Sequence, residues 1–149
     1  MKNQLCLAAD IGGTNTRIAL FDSEVLLEDT CVTYSNNKYD SFESILVEYL
    51  DRVSISSVTH AGIAAAGPIE GTTAKMTNLS WTFSEGSIAS ITGAAHVGII
   101  NDLQAQGYGL TSLDSSQVEL VIIGEHNSNP NDTKPVSYTH LTLPTNREV

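Results

Sequence analysis

Basic side chains are scarce in this sequence of 149 residues, and their scarcity excludes several classes of function. Seven Lys and Arg residues stand against 17 Asp and Glu residues, which gives a formal net charge of −10. Nucleic acids and anionic membranes attract clustered positive charge, so we expect neither as a partner. No apolar run reaches the roughly 18 residues that a membrane-spanning helix needs, and the N-terminal residues predict no signal peptide.

Cysteine and histidine are also rare, and their spacing predicts no metal centre. Cys6 and Cys31 each lie in an apolar, strand-like run, which favours core thiols in a reducing cytoplasm over a disulfide framework. His60, His96 and His126 lack the spacing of metal ligands, so we expect structural or surface roles for them. The 41% of hydrophobic residues suits one globular domain with a core.

The order of strand-like and helical patterns predicts an α/β layer with a mixed sheet. Three strand-like segments joined by short turns come first, and strands then alternate with helices. We expect strands near 5–9, 17–22, 25–34, 58–67, 96–100 and 118–123, and helices near 40–53, 84–91 and 103–110. Asp40 and Glu43 have the spacing of a capping box at the start of the first helix. Residues 69–75 are expected to form a loop.

A Gly-Gly turn between the first two strands is the segment richest in binding chemistry. Asp10 ends the first strand, and Gly12, Gly13, Thr14 and Asn15 follow it. Glycine permits backbone angles closed to other residues and lets main-chain N–H groups approach a ligand. Clustered N–H groups make a concavity for phosphate, and Asp10 is placed to hold Mg²⁺ through water. Such turns also occur in proteins that bind nothing, so the turn alone leaves both interpretations open.

A second polar pair, Asn101-Asp102, follows a later strand. Ligands of open α/β sheets gather at the carboxyl ends of strands, so we expect this pair, Asp10 and Gly67 to share one edge. Asp102 could accept the proton of a hydroxyl that attacks phosphorus. Asn and Asp are also ordinary helix N-caps, and capping is the competing interpretation for both residues.

Asn78 lies in a turn before Trp81 and either reaches a sugar hydroxyl or stabilises its own loop. Trp81 itself is expected in the core rather than as a platform for a sugar.

Four stretches in order resemble the bacterial glucokinases, members of the superfamily of sugar kinases, heat-shock ATPases and actin. They are D-I-G-G-T-N-T-R-I-A-L from Asp10, G-I-A-A-A-G-P-I from Gly62, M-T-N-L-S-W from Met76 and I-I-N-D-L-Q-A from Ile99. The resemblance covers roughly residues 4–135. It implies a mixed sheet of the ribonuclease H-like (actin-like ATPase) type, in the N-terminal lobe of a two-lobe kinase. It also implies a cytoplasmic enzyme that transfers phosphate from ATP to glucose with Mg²⁺.

The resemblance further implies roles for individual residues. Asp102 matches the base that deprotonates the sixth-carbon hydroxyl of glucose, and Asn101 matches a sugar-binding residue. Asn78, in one of the matching stretches, stays a candidate for sugar binding beside these two residues. The ATP phosphates are assigned to the turn and its entry, with Asp10 on the metal side: Ala9, Asp10, Ile11, Gly12, Gly13, Thr14 and Asn15.

The resemblance stops before the family's second phosphate loop and its Glu-x-x-Gly-His sugar motif. We therefore expect residues 1–135 to be a truncated N-terminal lobe that is inactive, or nearly so, by itself. Residues 136–145 resemble a translated transposase sequencing adapter, which predicts a non-native, poorly packed tail over 136–149; a genuine polar tail is the alternative.

Three other functions compete with a glucokinase. One is a kinase of another hexose or amino sugar, and a second is a sugar-binding regulator without turnover. The third is an actin-like ATPase that binds no sugar. Sugar-binding regulators of this kind carry an N-terminal DNA-binding domain, and we expect none here because the first strand is predicted to begin near Leu5. An oligomer is possible for the intact parent.

Overall fold

The computed structural model describes residues 4–110, and a five-stranded mixed sheet organises them. In chain order the elements are β1 (Leu5–Ile11), β2 (Asn15–Asp22), β3 (Val25–Ser35), α1 (Phe42–Val53), β4 (His60–Ala65), β5 (Ile69–Glu70), β6 (Thr73–Lys75), β7 (Thr82–Ser84), α2 (Glu85–Thr92), β8 (His96–Asn101) and α3 (Asp102–Leu110). The main sheet has the order β3-β2-β1-β4-β8. The pairs β1–β2 and β2–β3 are antiparallel, whereas β1–β4 and β4–β8 are parallel. The predicted α/β layer with a mixed sheet is confirmed.

One face of this sheet packs against the helices α1 and α2 to form the core. Leu7, Ala9 and Ile11 alternate along β1 and are all buried, while Asp10 between them is exposed. The helix α1 turns one stripe of side chains inward, which is the pattern its helical spacing predicts. The buried residues of α1 are Phe42, Ile45, Leu46, Tyr49 and Leu50. Each such side chain contributes about 1.5–3 kcal/mol relative to an exposed position.

The predicted N-cap of α1, Asp40, is wrong by one residue. The N-cap is Ser41, whose Oγ accepts a hydrogen bond from the Ser44 N–H at 3.2 Å. With Ser41 as N-cap, Ser44 takes the third helical position and Glu43 does not close a capping box; its Oε1 accepts the Ser87 hydroxyl of α2 at 2.9 Å. A tertiary contact between two helices therefore takes the carboxylate that local spacing assigned to a cap. The predicted start of α2 is confirmed, with Ser84 as N-cap.

Two further predictions are corrected. Residues 69–75 are not a plain loop, because β5 and β6 pair with each other and β6 pairs with β7 in a small second sheet. The cysteines are not core thiols, because Cys6 is half-buried on the sheet face opposite Leu7 and Cys31 is exposed on the edge strand β3. Within residues 4–110, no helix has the length and apolar character needed to cross a membrane. The strand predicted at 118–123 and the tail at 136–149 lie outside the described residues.

Candidate functional site

The carboxyl ends of three parallel strands lie side by side. Ile11 of β1 pairs with Ala65 of β4, and Ala65 pairs with Asn101 of β8. The Ala66 N–H donates to the Ile11 carbonyl at 3.0 Å just beyond this row. The prediction that the three strand ends share one edge is therefore confirmed, although 90 residues separate the first from the last.

The Gly-Gly turn lies at this edge and is closed by its own backbone. The Gly12 N–H donates to the Asn15 carbonyl at 2.9 Å, where β2 begins. The N–H groups of Gly13 and Thr14 have no acceptor among residues 4–110, and both residues lie at the exposed tip of the turn. Two adjacent free amides at an exposed tip can bind an anion such as a phosphate oxygen.

Asn36 fixes the Gly-Gly turn by hydrogen bonds, and the sequence did not predict this role. Its N–H donates to the Thr14 carbonyl at 2.9 Å and its Nδ2 donates to the Gly12 carbonyl at 2.9 Å. Its Oδ1 accepts the Thr16 hydroxyl at 2.8 Å, and both side chains are buried. Because the carbonyls of Gly12 and Thr14 are engaged by Asn36, the turn has a fixed orientation. An Asn in a loop after a strand carries no local signal for this role.

The reason for glycine in the turn differs from the expected one. Neither Gly12 nor Gly13 has a positive φ, so the prediction of backbone angles closed to other residues is wrong. Close approach is the reason instead. A Cβ on Gly13 would lie 3.3 Å from the Asn78 Nδ2, and one on Gly12 would lie 3.3 Å from the Asn15 carbonyl oxygen.

The residues on either side of Asp10 lie on the opposite face of β1 from Asp10. The side chains of Ala9 and Ile11 are buried in the core, so neither side chain is available to a ligand. Asp10 is exposed on the other face of β1, where its cross-strand neighbours are Arg17 and Ala64. It is the carboxylate on β1 nearest to the turn.

The loop before Trp81 brings Asn78 to the turn. Gly67 is packed so tightly against this loop that a Cβ there would lie 2.2 Å from the Lys75 carbonyl oxygen. The Met76 N–H donates to the Trp81 carbonyl at 3.0 Å, which closes the loop. Trp81 is buried, as predicted for a core residue. Asn78 is exposed and lies against Gly13, so the sugar-assigned and phosphate-assigned residues are neighbours.

Asn101 links two strand ends and caps α3. Its Nδ2 donates to the Gly67 carbonyl at 3.1 Å, and its Oδ1 accepts the Leu103 N–H at 3.0 Å. The capping interpretation is thus correct for this side chain. Each of its polar atoms retains capacity for one more hydrogen bond, so capping and ligand binding are compatible.

Asp102 begins α3 and is half-buried. Its Oδ1 accepts the Leu103 N–H at 2.9 Å, and its Oδ2 has no partner among residues 4–110. The N-terminus of a helix stabilises a negative charge at this position. Two strand spacings, roughly 10 Å, separate β8 from β1, and Asp102 and the Gly-Gly turn follow the ends of these two strands.

Comparison with known proteins gives the family of this chain. The profile of the Glucokinase family matches residues 7–136. The chain belongs to the glucokinase family. The glucokinase of Yersinia enterocolitica is 36% identical over 131 residues, which cover 88% of this chain and 39% of that protein. The chain therefore spans about two fifths of the length of this curated relative.

Solved structures agree with the family assignment. The glucokinase from an Antarctic psychrotroph superposes with a TM-score of 0.69 at 32% identity, covering 85% of this chain and 41% of that one. A ROK family glucokinase from Streptomyces griseus, solved in complex with glucose and AMPPNP, superposes with a TM-score of 0.54 at 23% identity, covering 70% of this chain and 35% of that one. The second likeness shows the fold alone, and it is the expected actin-like ATPase fold.

Proposed function

We propose that the protein carrying this chain phosphorylates glucose with ATP, and that the edge described above is the part of its active site found here. The observation that carries the proposal is the shared edge of the Gly-Gly turn, Asn78, Asn101 and Asp102. Membership of the glucokinase family supports the reaction class, and glucose is the substrate proposed from the names of the relatives.

Asp102 is proposed as the general base. Its Oδ2 lacks a protein partner among residues 4–110, so it can accept the proton of a sugar hydroxyl. The Leu103 N–H on Oδ1 holds the carboxylate in place at the helix terminus. The deprotonated hydroxyl oxygen would then attack the terminal phosphorus of ATP.

The spacing of the edge suits this transfer. The two strand spacings between β8 and β1, roughly 10 Å, would leave room for a hydroxymethyl group and a phosphoryl group in line between Asp102 and the turn. The amides of Gly13 and Thr14 would receive phosphate oxygens, with the orientation of the turn held by Asn36. Asn101, beside Asp102, and Asn78, beside Gly13, would hold sugar hydroxyls in that space.

Asp10 suits a Mg²⁺ ion that is bound mainly by substrate phosphates and water, rather than one bound by protein side chains alone. No group of three or more potential ligand side chains gathers anywhere in residues 4–110. Mg²⁺ at phosphate-transfer sites is commonly bound by one or two carboxylates, substrate phosphates and water, so a single exposed carboxylate beside the turn meets that need. When bound, the ion would neutralise charge on the phosphates.

The test is steady-state kinetics on the full product of the gene that encodes this chain. We expect Asp102→Asn to lower kcat for glucose by about 10²–10⁴-fold with a smaller change in KM, because the amide cannot accept the proton. Asp51→Asn, which alters an exposed carboxylate on α1, is the matched control and should leave kcat unchanged. A kcat for Asp102→Asn within a few-fold of the parent would contradict the proposed base.

The sugar and the state of the chain are proposals of the same kind. Comparing kcat/KM for glucose, mannose and amino sugars on that protein would decide between glucokinase and a related hexose kinase. The 149-residue chain alone is expected to have little or no activity, because closure of two lobes excludes water from the transfer. The boundary after residue 135 and the non-native tail stay predictions.

A further inference from the structure

Two histidines that are 36 residues apart in sequence lie side by side at the opposite end of the sheet from the candidate site. His60 begins β4 and His96 begins β8, and the parallel register pairs them directly. Their rings stack with centroids 5.0 Å apart and an interplanar angle of 23°. His60 is half-buried and His96 is exposed. We propose that this pair binds a divalent first-row transition-metal ion of the kind that prefers imidazole, such as Zn²⁺.

The hydrogen bonding around His60 leaves its Nε2 free to bind a metal. The Thr59 Oγ1 donates its only hydrogen to the Leu5 carbonyl at 2.7 Å. It lies 3.1 Å from the His60 Nδ1, so the Nδ1 must donate in that contact. In a neutral imidazole with hydrogen on Nδ1, the Nε2 carries a lone pair. A ring nitrogen held in this way by an oxygen acceptor is the usual arrangement of a metal-binding histidine.

The separation of the rings suits one shared ion. Metal–nitrogen bonds of about 2.0–2.1 Å place two imidazole nitrogens roughly 3–4 Å apart. The ring centroids are 5.0 Å apart, and His60 is held by Thr59, so the exposed His96 ring would turn about χ1 and χ2 to bring one nitrogen within that separation of the His60 Nε2. Water would complete the coordination, since residues 4–110 bring no third ligand side chain to the pair.

The test is a zinc titration of the full 149-residue chain, without a histidine tag and with Cys6→Ser and Cys31→Ser to remove thiol ligands. We expect one ion per chain, and a loss of affinity of at least about tenfold in both His60→Asn and His96→Asn. The double variant His126→Asn, His140→Asn is the matched control, and its zinc affinity should equal that of the parent. Retention of full affinity in either single variant at the pair, or no binding at millimolar zinc, would overturn the proposal.

A second measurement does not depend on these variants folding. In the ¹⁵N spectrum of the imidazoles, zinc should shift the Nε2 resonances of His60 and His96 and leave the Nδ1 of His60 protonated. Thr59→Val removes the acceptor and should weaken binding by about tenfold, while Thr59→Ser should restore it. The Thr59 N–H donates to the Leu5 carbonyl at 2.8 Å. This backbone hydrogen bond does not involve the side chain of residue 59, so the strand contact should persist in both variants. Zinc shifts confined to other histidines would also overturn the proposal.

Discussion

Asn36→Ala removes the side chain that holds the Gly-Gly turn, and we expect it to destabilise the fold strongly. Two hydrogen bonds are lost: the Nδ2 bond to the Gly12 carbonyl at 2.9 Å and the Thr16 hydroxyl bond to Oδ1 at 2.8 Å. The Thr16 side chain is completely buried, so water cannot replace the lost partner. A buried polar group left unsatisfied costs about 1–3 kcal/mol, which gives roughly 2–6 kcal/mol for the Thr16 hydroxyl and the Gly12 carbonyl together.

The assay is urea unfolding followed by tryptophan fluorescence. Trp81 is the single tryptophan of the chain and is buried, so its emission reports on loss of the core. Asn37→Ala is the matched control, because Asn37 is exposed and its side chain only accepts the Ser35 hydroxyl at 2.9 Å. Its free energy of unfolding should stay within about 0.5 kcal/mol of the parent.

A double-mutant cycle isolates the buried pair. Thr16→Val removes the hydroxyl that Asn36→Ala leaves unsatisfied, so the double variant should be more stable than the two single losses added together. The coupling free energy should fall between about 0.5 and 3 kcal/mol. If Asn36→Ala and Asn37→Ala cost the same, or if the cycle shows no coupling, Asn36 does not hold the turn as described.

Two further predictions concern packing and pH. Gly67→Ala should lower the free energy of unfolding by about 1–3 kcal/mol, because the new Cβ would lie 2.2 Å from the Lys75 carbonyl oxygen and the backbone must move. Gly62→Ala is the control, since a Cβ there would have nothing within 4 Å. Equal unfolding midpoints for the two variants would refute the crowding at Gly67. Tyr34→Phe should leave the free energy of unfolding at pH 7 unchanged or raise it by up to about 1 kcal/mol, because the buried Tyr34 hydroxyl has no partner among residues 4–110. Burial, and then the nearby Glu48, raise the pKa of Tyr34, so the folded state holds this proton more tightly than the unfolded state. Stability should therefore fall as the pH rises above the unfolded value near 10, and this fall should be smaller in Tyr34→Phe; an identical alkaline decline in both proteins would refute the assignment.

Much of the fold followed from local patterns. The alternation of Leu7, Ala9 and Ile11 with Asp10 indicates a strand with one buried face, and the spacing from Phe42 indicates an amphipathic helix. These features are predictable because each depends on residues a few positions apart. The cap of α1 was predicted one residue early, since Ser41 is the N-cap, and the contact of Glu43 with Ser87, 44 positions away, is one that no local rule includes.

The sequence by itself determined the alternating α/β order, the Gly-Gly turn, the polar pairs at strand ends and the resemblance to glucokinases. Only the tertiary structure decided how these parts meet. Strand register places Asn101 beside Ala65 and His96 beside His60, and it does so through backbone hydrogen bonds that every residue type can make. The role of Asn36 is hidden for the same reason, since its partners are two backbone carbonyls and one hydroxyl. Side-chain identity encodes burial and turns, whereas register and close approach are decided by the packing of the whole sheet.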